Sequence, residues 1–480
     1  MSPTSASPAA AKPPRVAVLG GGPGGYEAAL VAAQLGADVT VVERDGLGGS
    51  TVLTDVVPSK TLIATAELMA TVDGASELGV RFPGGSAPDT EPQGAVSVDL
   101  ARVHARVKAL AFAQSADVRA RLEREGVRIL SGSGVLDGPH ALDVRDGEDE
   151  GARVEADVVL VSVGASPRTL PDAQPDGERI LTWKQVYDLT ELPEHLVVVG
   201  SGVTGAEFAN AYDALGAHVT LVSSRDRVLP GEDADAAEVL EGVFRRRGMD
   251  VMSRSRAQSV RRHGDRVVVT LADGRTVEGS HCLVAVGAVP NTAGLGLEEA
   301  GVWTSESGHL DVDKVSRTSA RGVYAAGDCT GVFPLASVAA MQGRIAMWHA
   351  LGDTVAPLKL RSVASTVFTS PEIATVGWTQ AQIDAGEAQG EIIKLPLSTN
   401  ARAKMLGIHD GFVKLFCRTG SGTVIGGVVV APRASELIFP VTLAVEKRLN
   451  VDDVAHAFTI YPSLSGSIAE AARQLHVTGE

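Results

Sequence analysis

Two stretches decide the architecture: VLGGGPGGYEAALVAAQLGADVTVVER, beginning at Val18, and VVGSGVTGAEFANAYDALGAHVTLVSS, beginning at Val198. They align without a gap at an offset of 180 residues, superposing Gly20 on Gly200, Gly22 on Gly202, Gly25 on Gly205 and Glu27 on Glu207. An offset this long is a repeated domain and not a solenoid repeat. Each copy follows a short β-branched run (Arg15–Leu19, Leu196–Val199), passes through a glycine turn into a helical stretch ended by Gly36 or Gly216, and resumes a strand. In such a unit the first glycine makes the turn, the second admits a pyrophosphate against the backbone, and the third lets helix pack on strand. The helix N-terminus then stabilises the diphosphate charge.

The second strand of a dinucleotide unit ends in an acid that holds the ribose hydroxyls. The first copy ends at Glu43, which favours a free 2′-hydroxyl; the second ends at Ser223, with Arg225 and Arg227 close behind. Guanidinium pairs with phosphate bidentately, so this end suits a 2′-phosphate. Two different dinucleotides are expected, a tightly held flavin and an exchanging nicotinamide.

Val158–Gly164, Leu283–Gly287 and Val323–Asp328 read as further strands ending at glycine, whereas the alternating runs Gly411–Cys417 and Ile425–Ala431 read as an antiparallel sheet with helices around it. The fold class expected is α/β: two dinucleotide-binding (Rossmann-like) domains plus an α+β C-terminal dimerisation domain. The division expected is a disordered tail at 1–14, a discontinuous flavin domain at 15–165 and 281–355, a nicotinamide domain at 166–280, and an interface domain at 360–480.

The length of 480 residues fits about three domains. Its 43 Lys and Arg against 58 Asp and Glu give a net charge of −15, which excludes a general nucleic-acid binder and electrostatic attachment to anionic lipid. There are 53 glycines, where a share of about 7% would give roughly 34. No uninterrupted run of about 18 apolar residues occurs, so no stable membrane insertion is expected. Cys282, Cys329 and Cys417 lie far apart without a CxxC, so neither a zinc knuckle, another metal site nor a local dithiol is expected, and a reducing cytoplasm fits best. Met1–Pro14 has no signal-peptide pattern.

In this order the motifs resemble the pyridine nucleotide-disulfide oxidoreductases, the family of lipoamide dehydrogenase, glutathione reductase and mercuric reductase. Besides the two turns, similar landmarks are PSK (Pro58–Lys60), VGxxPN (Val286–Asn291), YAAGD (Tyr324–Asp328), QGR (Gln342–Arg344) and FTSPEIATVG (Phe368–Gly377). The resemblance runs from about Arg15 to Ala472. It implies FAD held by Gly20, Gly22, Gly25, Glu43, Gly49, Ser50, Lys60, Gly164, Gly327 and Asp328. It implies NAD(P)H held by Gly200, Gly202, Gly205, Glu207, Ser223, Arg225 and Gly287. It also implies a homodimer, and a Lys60 near the flavin N5 paired with Glu207.

The frame departs from the family at one chemistry. The family's redox segment, GGTCxxxxCxPSK, here reads GGSTVLTDVVPSK from Gly48 to Lys60, with Thr51 and Val56 at the cysteine positions. Neither side chain can form a thiolate. The family's HPTxSE reads Tyr461-Pro462-Ser463-Leu464-Ser465-Gly466, so a phenol replaces the imidazole base and Gly466 the glutamate that orients it. A phenol, ordinarily protonated up to about pH 10, is a poor general base at neutrality.

What remains is a relay from NAD(P)H through FAD to a diffusible acceptor, in a slot lined by Thr51, Val56 and, from the other subunit, Tyr461. A flat apolar quinone suits that slot, since a phenol can stack on it or donate to its carbonyl. The pattern is similar to the cysteine-less actinobacterial NAD(P)H:quinone reductases of this family. A soluble pyridine nucleotide transhydrogenase and a flavin-loaded protein without turnover are the alternatives.

Overall fold

The computed structural model describes residues 12–80 and 96–476. The expected disordered tail lies largely outside the described residues. The chain forms two compact units, the first running to Val56 and including Leu110–Ser166 and Val289–Leu358, the second built from Val57–Ala109, Pro167–Ala288 and the chain from Lys359 onward.

The first unit is organised by a parallel five-stranded sheet in the order Val323–Ala325, Val158–Val161, Arg15–Leu19, Asp38–Glu43, Arg128–Ser131. Its central strands are buried on both faces, which explains their unbroken valine and leucine runs. Helix Pro23–Gln34 packs on one face beside helix Ala336–Ala350. The two helices approach so closely that a Cβ on Gly343 would lie 2.0 Å from the Gly24 carbonyl oxygen. A small antiparallel sheet (Gly134–Leu136, Ala141–Val144, Arg153–Glu155) closes the other face through Leu136, Leu142 and Val154.

The second unit repeats the plan. Strands Asp250–Met252, His218–Val222, His195–Val199, His281–Val284 and Ile180–Leu181 form its parallel sheet, with helix Val203–Ala214 following the glycine turn. An antiparallel meander, Ala257–His263, Arg266–Leu271 and Thr276–Gly279, covers one face. From Ala364 the expected antiparallel sheet follows, in the order Ala364–Val367, Glu372–Gly377, Val424–Ala431, Phe412–Arg418, Gly390–Pro396. Phe412 and Phe416 pack in one core with Phe208 and Tyr212, and the sheet's other face lies under the C-terminal helices through Val413, Leu415 and Ile468.

The division differs from the sequence-based one at two places. Strand His281–Val284 pairs with His195–Val199, so the chain returns to the first unit at Val289 and not at 281. Residues 57–80 and 96–109 belong with the second unit, because Leu62, Ile63, Ala66, Leu100 and Val107 bury into the core around Phe208 and Tyr212.

Candidate active site

In the first unit the glycine turn works as three different devices. Gly20 has φ +98°, and a Cβ there would meet the Ser162 carbonyl oxygen at 2.3 Å. At Gly25 a Cβ would lie 1.8 Å from the Gly20 carbonyl oxygen, so only glycine lets helix Pro23–Gln34 start against the strand. Gly22 is neither strained nor crowded: its backbone is extended (φ −68°, ψ −176°), and nothing lies within 4 Å of a Cβ built there. Folding does not demand glycine at 22, whereas a pyrophosphate against the helix N-terminus does.

Glu43 ends its strand with Oε2 accepting the Gly21 N–H at 2.6 Å and Oε1 accepting from Asp45 N–H at 2.7 Å. This fixes the carboxylate at the turn while leaving acceptor capacity for a ribose hydroxyl. Gly48 (φ +91°) donates to the Gly21 carbonyl, and Gly49 (φ +57°) starts the short helix Gly49–Leu53, carrying Ser50 and Thr51. Val56 opens helix Val56–Asp73; Thr51 and Val56 are both half-buried.

Gly164 (φ +64°) likewise has nothing within 4 Å of a Cβ. Gly327 donates to the buried Gln342 Oε1 at 2.9 Å, and the Gln342 amide reaches Thr330 Oγ1, which holds the turn carrying Asp328. Burial raises the Asp328 carboxyl above its ordinary range. Among the described residues that carboxylate accepts no hydrogen bond, and polyol or ribose hydroxyls would satisfy it. The cradle therefore fits a flavin dinucleotide. Gln342 and Arg344, whose guanidinium pairs with Glu27 at 2.8 Å, were legible only as landmarks and not as supports of this turn.

The second unit repeats these devices. Gly200 has φ +114° with the Ala285 carbonyl oxygen 2.2 Å from a Cβ; Gly205 would meet the Gly200 oxygen at 1.8 Å; Gly202 and Gly287 face open space. Ser223 is fully buried, with its hydroxyl 2.6 Å from Ser201 Oγ and accepting from the Arg225 N–H at 3.1 Å. It shapes the strand end and does not present its hydroxyl outward. Arg225 is exposed, and Arg227 buries an Nε that has no partner among the described residues. The Arg254 N–H donates to the Arg225 carbonyl at 2.6 Å, placing a third arginine beside the first two. Sequence reasoning missed Arg254.

Lys60 and Glu207, both in the second unit, meet at 2.7 Å. Glu207 is buried; its Oε2 accepts from Lys60 Nζ and its Oε1 from the Phe368 N–H at 2.8 Å. The Lys60 ammonium also sits 4.7 Å from the Phe368 ring centroid, within cation–π range. One buried carboxylate and one ring thus fix the ammonium's position, leaving further N–H donors available. Phe368, the first residue of the FTSPEIATVG landmark, is a member that spacing could not reveal.

Tyr461 is 86% exposed and lies beside Phe458 (108%) and Ile460 (80%). Asn400 steadies the loop that follows, donating to the Ser463 carbonyl at 3.0 Å and to Ser467 Oγ at 2.8 Å. All three cysteines are buried and unpaired. Burial pushes the Cys282 and Cys329 thiols up to about 12 and Cys417 to about 11, so all three are protonated at neutral pH.

A sequence profile of the pyridine nucleotide-disulphide oxidoreductases matches residues 14–343, and one of their dimerisation domain matches residues 363–472. The chain is 56% identical over 470 residues to a protein of Mycobacterium tuberculosis named NAD(P)H dehydrogenase (quinone), covering 96% of this chain and 94% of that one. It is 33% identical over 461 residues to the dihydrolipoyl dehydrogenase of Chlorobaculum parvum, covering 95% and 96%. The crystal structure of LpdA from Mycobacterium tuberculosis superposes with a TM-score of 0.90 at 56% identity, over 97% of this chain and 100% of that one. The dimerisation-domain match supports a homodimer, and among the described residues no helix is long and apolar enough to cross a membrane. Two glycine cradles followed by an antiparallel dimerisation sheet complete the pattern: the chain belongs to the pyridine nucleotide-disulphide oxidoreductases, whose cofactors are FAD and NAD(P)H.

Proposed function

We propose that the protein is a cytoplasmic, homodimeric NAD(P)H:quinone oxidoreductase that works without a redox-active disulfide. The observation that carries this reading is the pairing of Thr51 and Val56 at the redox positions with three thiols that burial keeps protonated. A relative at 56% identity bears the name NAD(P)H dehydrogenase (quinone), which supports it.

FAD supplies the two-electron centre between the nicotinamide donor and the acceptor. Gly22 and Gly202 admit the two pyrophosphates, Glu43 and Asp328 accept from hydroxyls, and Arg225, Arg227 and Arg254 hold a 2′-phosphate. Lys60, fixed by Glu207 and Phe368, presents an ammonium that holds charge and donates hydrogen bonds. Thr51 and Val56 leave an uncharged, thiol-free lining for a flat acceptor. Tyr461, exposed in the single chain, serves the acceptor site of the second copy, where its phenol can donate to a carbonyl oxygen.

Anaerobic dithionite titration of the FAD-loaded dimer tests this. Uptake is expected to end at two electrons per subunit, with menadione turned over by NADPH and lipoamide not reduced. A four-electron endpoint, or useful lipoamide turnover, would overturn the assignment. Complete two-electron uptake with slow menadione turnover and fast exchange between two nicotinamides would replace it with transhydrogenation.

A further inference from the structure

The dimerisation sheet carries a second cluster of positive charge that the electron-transfer reading does not use. A cavity of about 530 Å³ opens between the one-turn helix Leu360–Ser362, the sheet and the end of helix Phe439–Lys447. Lys359, Arg361, Arg418 and Arg448 all line it, together with Trp378 and one acid, Glu446. In a chain with 58 acidic and 43 basic residues this local excess runs against composition.

Glu446 neutralises only Lys359. The two pair at 2.9 Å, and hydrogen bonds from Ser362 and Lys359 hold the Glu446 carboxyl below its ordinary range. Arg361, Arg418 and Arg448 have no carboxylate partner among the described residues. All three are solvent-exposed, so their donors stay available to an anion that enters the cavity.

The frame holding these groups is rigid. Arg418 ends strand Phe412–Arg418 and donates its N–H to the Thr423 carbonyl at 2.8 Å; Trp378 donates to the Ile425 carbonyl at 3.0 Å. The Arg361 guanidinium lies 3.2 Å from the Trp378 ring centroid. Stacking fixes its plane and leaves its in-plane N–H donors free, which favours recognition of an oxyanion. Arg448 occupies the left-handed position that ends helix Phe439–Lys447, at φ +54°, a conformation that favours glycine. Its charge favours the helix C-terminus, but that accounts for one arginine and not for three from separate elements.

We propose that this cavity binds a small anion carrying two or more phosphoryl groups, either inorganic pyrophosphate or a nucleoside diphosphate. Three guanidiniums supply the charge and paired donors such an anion needs, and the volume accommodates one nucleoside diphosphate.

Calorimetric titration of the FAD-loaded dimer, with NADP+ saturating so that the nicotinamide turn is filled, tests the proposal. The probes are inorganic pyrophosphate, ADP and inorganic phosphate. One site per subunit is expected for pyrophosphate or ADP, with inorganic phosphate at least about tenfold weaker. Tighter binding of ADP assigns a nucleotide; equal affinities assign the inorganic anion. Arg361→Ala and Arg418→Ala should each weaken binding roughly tenfold or more. Arg448→Gly separates binding from folding: affinity falls while the melting temperature holds or rises, because glycine accepts φ +54° without strain. Absence of binding up to millimolar pyrophosphate and ADP would overturn the proposal, as would affinity unchanged in Arg418→Ala and Arg448→Gly.

Discussion

The internal repeat supplies a controlled experiment on dinucleotide choice. Glu43 in the first copy corresponds to Ser223 in the second, and Gly21 corresponds to Ser201. In the first copy the Glu43 carboxylate sits 2.6 Å from the Gly21 N–H, and a Cβ on Gly21 would lie 3.2 Å from Glu43 Cγ and Oε2. In the second copy Ser201 already carries that Cβ, and its hydroxyl bonds Ser223. A glutamate placed at 223 therefore needs glycine at 201 to reach the seat that Glu43 has. Ser223→Glu alone is expected to shift preference from NADPH toward NADH, and Ser201→Gly/Ser223→Glu to shift it further.

The magnitude follows from the contacts exchanged. On the proposed reading, in which Arg225, Arg227 and Arg254 attract a 2′-phosphate, the introduced carboxylate would repel that phosphate and accept from the 2′-hydroxyl of NADH. A changed contact of this kind is worth roughly 1–3 kcal/mol, or about 5- to 150-fold in the ratio of specificity constants. Steady-state kcat/KM for NADPH and NADH, measured on the wild type and both variants with one quinone, gives the ratio directly. The wild type should use NADPH at least as well as NADH. A double variant with the same ratio as the wild type would refute the reasoning, since it would show that the strand end does not face the ribose.

Three further expectations rest on the same geometry. Gly22→Ala and Gly202→Ala should leave the thermal stability of the cofactor-free protein within about 0.5 kcal/mol, because neither Cβ meets an atom within 4 Å; the first should lose FAD, and with it the stability that bound FAD adds, and the second should raise the KM for NADPH about tenfold or more. Glu207→Gln keeps an acceptor for the Phe368 N–H but loses the Lys60 charge pair, whereas Glu207→Leu loses both. Urea unfolding should show about 1–2 kcal/mol lost for the first and about 2–4 for the second. Burial raises the Asp213 carboxyl to about 6, against about 3.9 in the unfolded chain. Its contribution is fully present below about pH 4 and lost as pH rises through about 6, so Asp213→Asn should be nearly neutral at pH 4 and stabilising at pH 7.5, by roughly 1–3 kcal/mol, with equal urea midpoints at both pH values counting against it.

Much of this was legible in the sequence for a physical reason. A glycine turn between strand and helix is a local device, and its three glycines are local solutions to strain, crowding and access, so spacing alone exposes them. Sheet membership is not local. The run Leu283–Gly287 ends at glycine as Val158–Gly164 does, and nothing in either states which sheet it joins; only pairing with His195–Val199 puts His281–Val284 in the second unit. Arg254 escaped for the same reason. It lies 29 positions beyond Arg225 and comes beside it because Asp250–Met252 is the next strand of the sheet. Phe368 approaches Glu207 across 161 positions, a separation that no periodicity encodes.

The boundary between what this chain keeps and what it replaces follows the chemistry. Lys60, Glu207 and Phe368 form a charged triangle that requires no sulfur, and it is intact. At the four positions that the family resemblance assigns to a disulfide and its base, the chain carries Thr51, Val56, Tyr461 and Gly466. Around them the supports are fully formed: the glycine cradles, the Gln342 brace and the Asn400 anchor of the Tyr461 loop. Nor does another thiol stand in: Cys329, nearest in sequence to the Gly327–Asp328 turn, donates its S–H to the Ala326 carbonyl at 3.3 Å and is held far from ionisation. The replaced groups share one function and the retained groups share another. That division is what an electron path from nicotinamide to a diffusible acceptor requires, with the dithiol step removed.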